Sequence, residues 1–102
     1  MAKIVWTGPA AREFDELIEY IAQDAPEAAT RIAVRTEHHV AQLIEHPKSG
    51  SSVPEMPRSS IRQLVEPPCR LFYRVDGETV NILHVLRFER LFRPGRIESE
   101  NE

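Results

Sequence analysis

Residues 69–87 carry the sequence CRLFYRVDGETVNILHVLR, in which two runs of β-branched, aliphatic and aromatic residues flank the pair Asp76-Gly77. Such runs are typical of β-strands. An Asp-Gly pair tolerates the positive φ angle that a tight hairpin turn requires. The stretch therefore predicts an antiparallel hairpin. If Asp76-Gly77 forms a two-residue turn, Val75 lies opposite Glu78 and Arg74 lies opposite Thr79.

This register decides which side chains of the hairpin share a face, and a three-residue turn would shift it by one. One face, suited to packing under helices, would hold Leu71, Tyr73, Val80, Ile82, His84 and Leu86. The opposite face would hold Arg70, Phe72, Arg74, Leu83, Val85 and Arg87. A surface that mixes arginine with apolar side chains is typical of one that a partner covers.

The residues before the hairpin predict one strand and two helices. Lys3 to Trp6 is β-branched and aromatic, and the following Thr7-Gly8-Pro9 ends a strand and begins a helix. Apolar residues then recur at spacings of three and four, which predicts an amphipathic helix to Gln23 with Glu13 facing outward. The sequence Asp24-Ala25-Pro26 separates this helix from a second one, which keeps the helical period up to His46.

The remaining segments complete an α+β fold of order β-α-α-β-β-β. Residues 48–57 contain three serines and two prolines and predict a long loop. Residues 61–65 predict the strand that precedes the hairpin. We expect an antiparallel sheet with a helical hairpin packed on one face, forming a single domain over residues 1–96. The acidic residues 97–102 are expected to fray.

Composition narrows the class of protein. A chain of 102 residues has room for one domain. The single cysteine, Cys69, excludes an internal disulfide, and the sequence offers no cluster typical of a structural metal site. No segment has the length and hydrophobicity of a signal peptide or membrane span. We therefore expect a cytoplasmic protein with no cofactor, no metal and no membrane association.

Charge is distributed unevenly along the chain. The formal net charge is -3, but residues 9–46 carry three basic residues against eight acids, whereas residues 58–96 carry eight arginines against four acids. Arginine presents a planar fork of donors that suits phosphates and carboxylates. This pattern predicts that the second half of the chain contacts a macromolecule.

Three motifs resemble the RelE/ParE superfamily of toxins from type II toxin–antitoxin systems. The first is a strand ending in Val5-Trp6-Thr7, with a second helix that starts at Pro26-Glu27-Ala28-Ala29. The second is the loop Gly50-Ser51-Ser52-Val53-Pro54-Glu55, which leads to Ile61-Arg62-Gln63-Leu64. The third is the strand pair of residues 69–75 and 80–86. Together the motifs span most of residues 3–90.

The resemblance implies a compact toxin fold and a cognate antitoxin, a ParD-like or similar DNA-binding protein whose extended C-terminal segment wraps the toxin. An acidic amphipathic segment would suit the face predicted above. The residues expected to bind the antitoxin are Arg62, Arg70, Phe72, Arg74, Leu83 and Arg87. The residues expected to contact the target are Arg87, Arg90 and Arg93.

The two branches of the superfamily differ in what they do. RelE-like members cleave messenger RNA on the ribosome, and ParE-like members poison DNA gyrase. RNA cleavage needs a proton acceptor and donor beside the cations. This chain has no lysine after Lys48, and residues 90–96 lack a tyrosine or histidine. The sequence favours a ParE-like gyrase inhibitor over a ribosome-dependent endonuclease or a non-toxic module that only binds antitoxin.

Other candidate groups are weaker. His84 would have to face the open side of the sheet to act as a base, and the expected register turns it inward. His38, His39 and His46 are more typical of solvent-exposed or interface residues than of metal ligands. Cys69 has no paired base, and Glu55 is a lone loop carboxylate that could serve in acid/base chemistry. We therefore assign no catalytic residue.

Overall fold

The computed structural model describes residues 1–88, and these form two helices on a five-stranded sheet. The α-helices are α1 (Gly8–Asp24) and α2 (Pro26–Ala41), and a short 3₁₀ helix (Gln42–Ile44) extends α2. The strands are β1 (Lys3–Trp6), β2 (Ser51–Ser52), β3 (Arg62–Glu66), β4 (Cys69–Asp76) and β5 (Thr79–Arg87). Their order across the sheet is β1-β5-β4-β3-β2. The predicted α+β class and the order of the main elements are confirmed.

Thr7 connects the sheet to the first helix. Its side-chain oxygen accepts a hydrogen bond from the amide of Ala10 at 3.3 Å and so caps α1. Its hydroxyl also donates to the carbonyl of Ile82 at 2.8 Å. One side chain therefore both starts the helix and ties that helix to strand β5.

The main core lies between the helical hairpin and one face of the sheet. Ala25 alone separates α1 from α2, so the two helices pack against each other as predicted. The rings of Trp6 and Phe14 lie 5.3 Å apart at the edge of this core. Its fully buried members include Leu43, Leu71, Tyr73, Val80 and Ile82.

The expectation of a wholly antiparallel sheet is wrong at one pairing. Strand β1 pairs with β5 in parallel, with Lys3 opposite Thr79 and Trp6 opposite Ile82. A parallel neighbour needs a crossover connection, and the helices together with the rest of the chain supply it. The sheet is therefore mixed, and the predicted hairpin forms its antiparallel centre.

The hairpin register also differs from the expected one. Asp76 lies opposite Thr79, so the turn is centred on Gly77-Glu78, and Gly77 adopts a φ of +60°. A bulge between Phe72 and Tyr73 then shifts the pairing of the second half of β5. As a result Val85, expected on the open face, belongs to the main core, whereas Leu86, expected under the helices, packs on the opposite side.

A second apolar cluster covers the face of the sheet that was expected to be open. Residues 53–61, here called the strap, fold over this face and insert three buried side chains. Phe72 and Leu83 beneath them are 0% and 7% exposed. The prediction that these two side chains form an exposed surface for a partner is therefore wrong, because the chain covers them itself. The members of this cluster are Val53, Met56, Ile61, Phe72 and Leu83.

Some expectations lie outside the described residues. These are the domain limit at residue 96, the fraying of residues 97–102, and the target-contacting roles of Arg90 and Arg93. Within residues 1–88, neither α-helix combines the length and the apolar character needed to cross a membrane.

Gly50 provides a test of how the strap is connected to the sheet. A β-carbon at this position would lie 2.5 Å from the Tyr73 hydroxyl and 2.6 Å from the Gln63 carbonyl oxygen. We expect Gly50→Ala to lower the free energy of unfolding by about 1–3 kcal/mol, the usual cost of overpacking. Urea denaturation measures this, with the exposed Ser52→Ala as control. Equal stability of the two variants would contradict this close packing of Gly50 against Tyr73.

Candidate partner-binding surface

The four arginines expected to bind the antitoxin lie on two different faces of the sheet. In β4, Arg70 and Arg74 alternate with the core residues and lie on the strap side of the sheet. In the strand register, Arg62 lies opposite Tyr73 and Arg87 lies opposite Cys69. Tyr73 and Cys69 are core residues on the helix side, so these two arginines lie on that side. The prediction that Arg87 shares the face opposite the helices with Arg70 and Arg74 is therefore wrong.

Arg70 is fixed against the strap by a dense set of contacts. Two of its nitrogens donate to the two carboxylate oxygens of Glu55, each at 2.9 Å. Its Nε and Nη2 donate to the side-chain oxygen of Gln63 at 3.1 and 2.8 Å. The guanidinium also lies 5.0 Å from the centre of the Phe72 ring. A two-pronged bond of this kind fastens the strap over the second cluster.

Hydrogen bonds from the arginines of β4 lower the pKa values of two carboxylates. The hydrogen bonds from Arg70 are the largest cause holding the pKa of Glu55 below its ordinary value, and burial of the carboxylate opposes them. Farther along β4, Nε of Arg74 donates to Asp76 at 2.8 Å, and this bond lowers the pKa of Asp76. The side chain of Arg74 is 27% exposed, compared with 17% for Arg70. Arg74 is therefore the more accessible of the two.

Arg62 supports the segment that leads into the strap from the other side of the sheet. It donates to the carbonyl oxygen of Gly50 at 2.9 Å. The amide of Gly50 donates to the buried hydroxyl oxygen of Tyr73 at 2.8 Å. Burial is the main cause that raises the pKa of Tyr73. Tyr73 thus packs beneath the helices, as expected from its alternation with Arg74.

Strand β5 meets helix α1 through contacts that the sequence did not predict. Glu13, expected to face solvent, accepts a hydrogen bond from the amide of Val85 at 3.0 Å and lies 3.1 Å from Nδ1 of His84. His84 is 1% exposed, but it lies opposite Phe72 of the strap-side cluster, so the position expected for it under the helices is not confirmed. The guanidinium of Arg87 lies 4.7 Å from the centre of the Tyr20 ring. The sequence signal for these contacts is a spacing. Glu13 and Tyr20 are two helical turns apart, so both can face the same strand.

Helix α2 is attached to the far end of β3 by Glu66. This carboxylate lies 2.9 Å from Nε of Arg35 and 3.1 Å from Nδ1 of His39. His39 is therefore an internal contact, whereas His38 and His46 are exposed. Residues 1–88 contain no group of three or more histidine, cysteine or acidic side chains placed to hold a metal ion.

Cys69 has the surroundings of an inert thiol. Its side chain is buried, and burial is the main cause that raises the pKa of the thiol to about 11. The nearby Glu66 carboxylate raises it further. A thiol that stays protonated at neutral pH is a poor nucleophile. This buried, protonated thiol fits the expectation that Cys69 is inert rather than nucleophilic.

The fold and its arginine-bearing sheet define a class of small α+β toxins, the RelE/ParE superfamily, and comparison with known proteins agrees. Residues 4–92 match the model of the ParE toxin of the type II toxin–antitoxin system parDE. The structure is similar to a solved chain of the chromosomal ParDE toxin–antitoxin system from P. aeruginosa, with a TM-score of 0.69 and 26% identity. The match covers 87% of this chain and 98% of the other.

Two curated relatives are similar over most of their length. Toxin RelE2 of Caulobacter vibrioides is 33% identical over 92 residues, covering 89% of this chain and all of the relative. Putative toxin Y4kP of Sinorhizobium fredii is 37% identical over 86 residues, covering 80% of this chain and 86% of the relative. The chain belongs to the ParE toxin family of type II toxin–antitoxin systems. An antitoxin is therefore its partner.

The bond between Arg70 and Glu55 gives the strap a defined dependence on pH. Because the pKa of Glu55 is lowered in the folded state, the bond stabilises the fold above the unfolded pKa of about 4.3 and is lost as pH falls through the lower folded value. We expect Arg70→Gln to return the Glu55 pKa toward the ordinary range, as measured by NMR titration of the carboxyl carbon.

A matched control for this titration is Arg31→Gln, which removes an exposed arginine from α2. It is expected to leave the pKa of Glu55 unchanged. If both variants gave the wild-type titration, the two-pronged bond would not exist in solution.

Proposed function

We propose that this ParE family member is a cytoplasmic toxin that inhibits DNA gyrase by binding it, without breaking a bond itself. The family match supports this proposal, because it extends from β1 through β5 to residue 92 and so includes Arg87 and Arg90. These two arginines, together with Arg93, are proposed to contact the target. A binding toxin needs a cationic surface and no proton-transfer groups.

The burial of the possible acid/base groups favours target binding over RNA cleavage. Within residues 1–88, the two side chains best suited to acid/base chemistry after the strap are Tyr73 and His84, and both are almost fully buried. Neither can reach a substrate in the native fold. Glu55 is accessible, but Arg70 occupies both of its carboxylate oxygens. This burial is the single observation that carries the preference for a gyrase inhibitor.

Messenger RNA cleavage on the ribosome is the second candidate. A relative that is 33% identical over its full length carries the name RelE2. A third candidate is a non-toxic module that only binds the antitoxin. The three candidates differ in two measurements, growth after induction and gyrase activity.

The first experiment induces the toxin without its antitoxin and adds the purified toxin to gyrase. We expect growth arrest and loss of supercoiling, with messenger RNA left intact. The variant Arg87→Ala/Arg90→Ala is expected to lose both effects, and Arg31→Ala serves as the matched control. Messenger cleavage with normal supercoiling would replace gyrase by the ribosome. Normal growth would leave only antitoxin binding.

We further propose that the antitoxin contacts Arg62, Arg70, Arg74 and Arg87. Because these residues lie on both faces of the sheet, one partner can reach them only by wrapping around the domain. An extended acidic segment has this reach and this charge. Phe72 and Leu83 are left out of the proposed contact, since the strap covers them.

Arg74 gives the sharpest test, because it is the more exposed arginine on the strap side. We expect Arg74→Ala to weaken antitoxin binding about threefold, the size typical of a partly exposed ion pair. Isothermal titration calorimetry measures this, with Arg31→Ala as control. Equal affinities of the two variants would remove Arg74 from the interface.

A further inference from the structure

The C-terminal end of β5 extends beyond its neighbour β1 in the sheet. On one side β4 pairs with β5 as far as Arg87, but on the other side β1 ends at Trp6, opposite Ile82. Within residues 1–88, no strand covers residues 83–87 on that side. Helix α1 begins directly after β1 and occupies this position instead.

Two side chains of α1 hold this part of β5. The Glu13 carboxylate accepts from the Val85 amide at 3.0 Å, which satisfies a backbone group that a neighbouring strand would otherwise bind. Two turns later, the Tyr20 ring lies 4.7 Å from the Arg87 guanidinium carbon. Between them lies a groove of about 480 Å³ that Glu16, Leu17 and Leu86 also line.

The Tyr20 ring restrains the Arg87 guanidinium, whose carbon lies over the ring. The N–H groups of a guanidinium lie in its plane, so a stacked arginine can still donate to a carboxylate or phosphate at its edge. Such a group also loses less side-chain freedom on binding than an unrestrained arginine. Tyr20 itself is 56% exposed, so the contact lies at the surface, where a macromolecule can reach it.

We infer that Tyr20 is a positioning residue, which holds the Arg87 guanidinium in the orientation that contacts the toxin's target. Glu13 assists by anchoring the strand from which Arg87 projects. The inference rests on the proposed function for the role of Arg87, and it adds a residue of α1 that this function does not otherwise require. The target contact is therefore built by α1 and β5 together.

The test is a double-mutant cycle between Tyr20 and Arg87 in the full chain. Tyr20→Ala is expected to raise the concentration needed for half-inhibition of gyrase supercoiling about threefold, the size of an exposed cation–π contact. Tyr20→Phe keeps the ring and is expected to match the wild type. In the Arg87→Ala background, Tyr20→Ala is expected to have no further effect.

The control is Val34→Ala, which truncates another exposed apolar side chain of the helical hairpin, 63% exposed. It is expected to leave inhibition unchanged, and melting temperatures measured in parallel separate lost folding from lost positioning. An additive cycle, or wild-type inhibition by Tyr20→Ala, would overturn the inference. If the wild-type toxin left gyrase unaffected, the proposed target would fail, and the same cycle would be measured on growth arrest.

Discussion

The burial of strand β4 on both faces is the constraint on which the rest of the structure depends. Leu71 and Tyr73 point into the main core under the helices, and Phe72 between them points into the second cluster under the strap. Each fully buried apolar side chain of this size contributes about 1.5–3 kcal/mol. A small domain has a low free energy of unfolding, so removing either the helical hairpin or the strap would cost a large part of its stability.

This constraint also determines where charge can be placed. The apolar centre of the sheet is closed on both sides, so the arginines lie at its margins, where each finds a carboxylate, a carbonyl or a ring. Arg70 binds Glu55 of the strap, and Arg87 contacts Tyr20 where α1 meets β5. A partner therefore contacts separate arginines around the margin of the sheet, because both faces of the sheet are covered.

The sequence predicted the elements of the fold well and the surface poorly. Helical periodicity, the Thr7 cap and the Asp76-Gly77 pair are local signals, and all three gave the right element in nearly the right place. The bulge at Phe72 and Tyr73 and the parallel pairing of β1 depend on distant parts of the chain. The bulge exchanged the expected positions of Val85 and Leu86, and the strap covers Phe72. Local patterns carry no information on such contacts.

The pairing of β1 with β5 has a consequence for the order of events during synthesis. Lys3 is made more than seventy residues before its neighbour in the sheet, Thr79. Contacts this far apart in sequence close late, because the intervening chain must be ordered first. A nascent chain that still lacks β5 has no complete sheet. The contact between Arg87 and Tyr20 therefore forms only after β5 has been made.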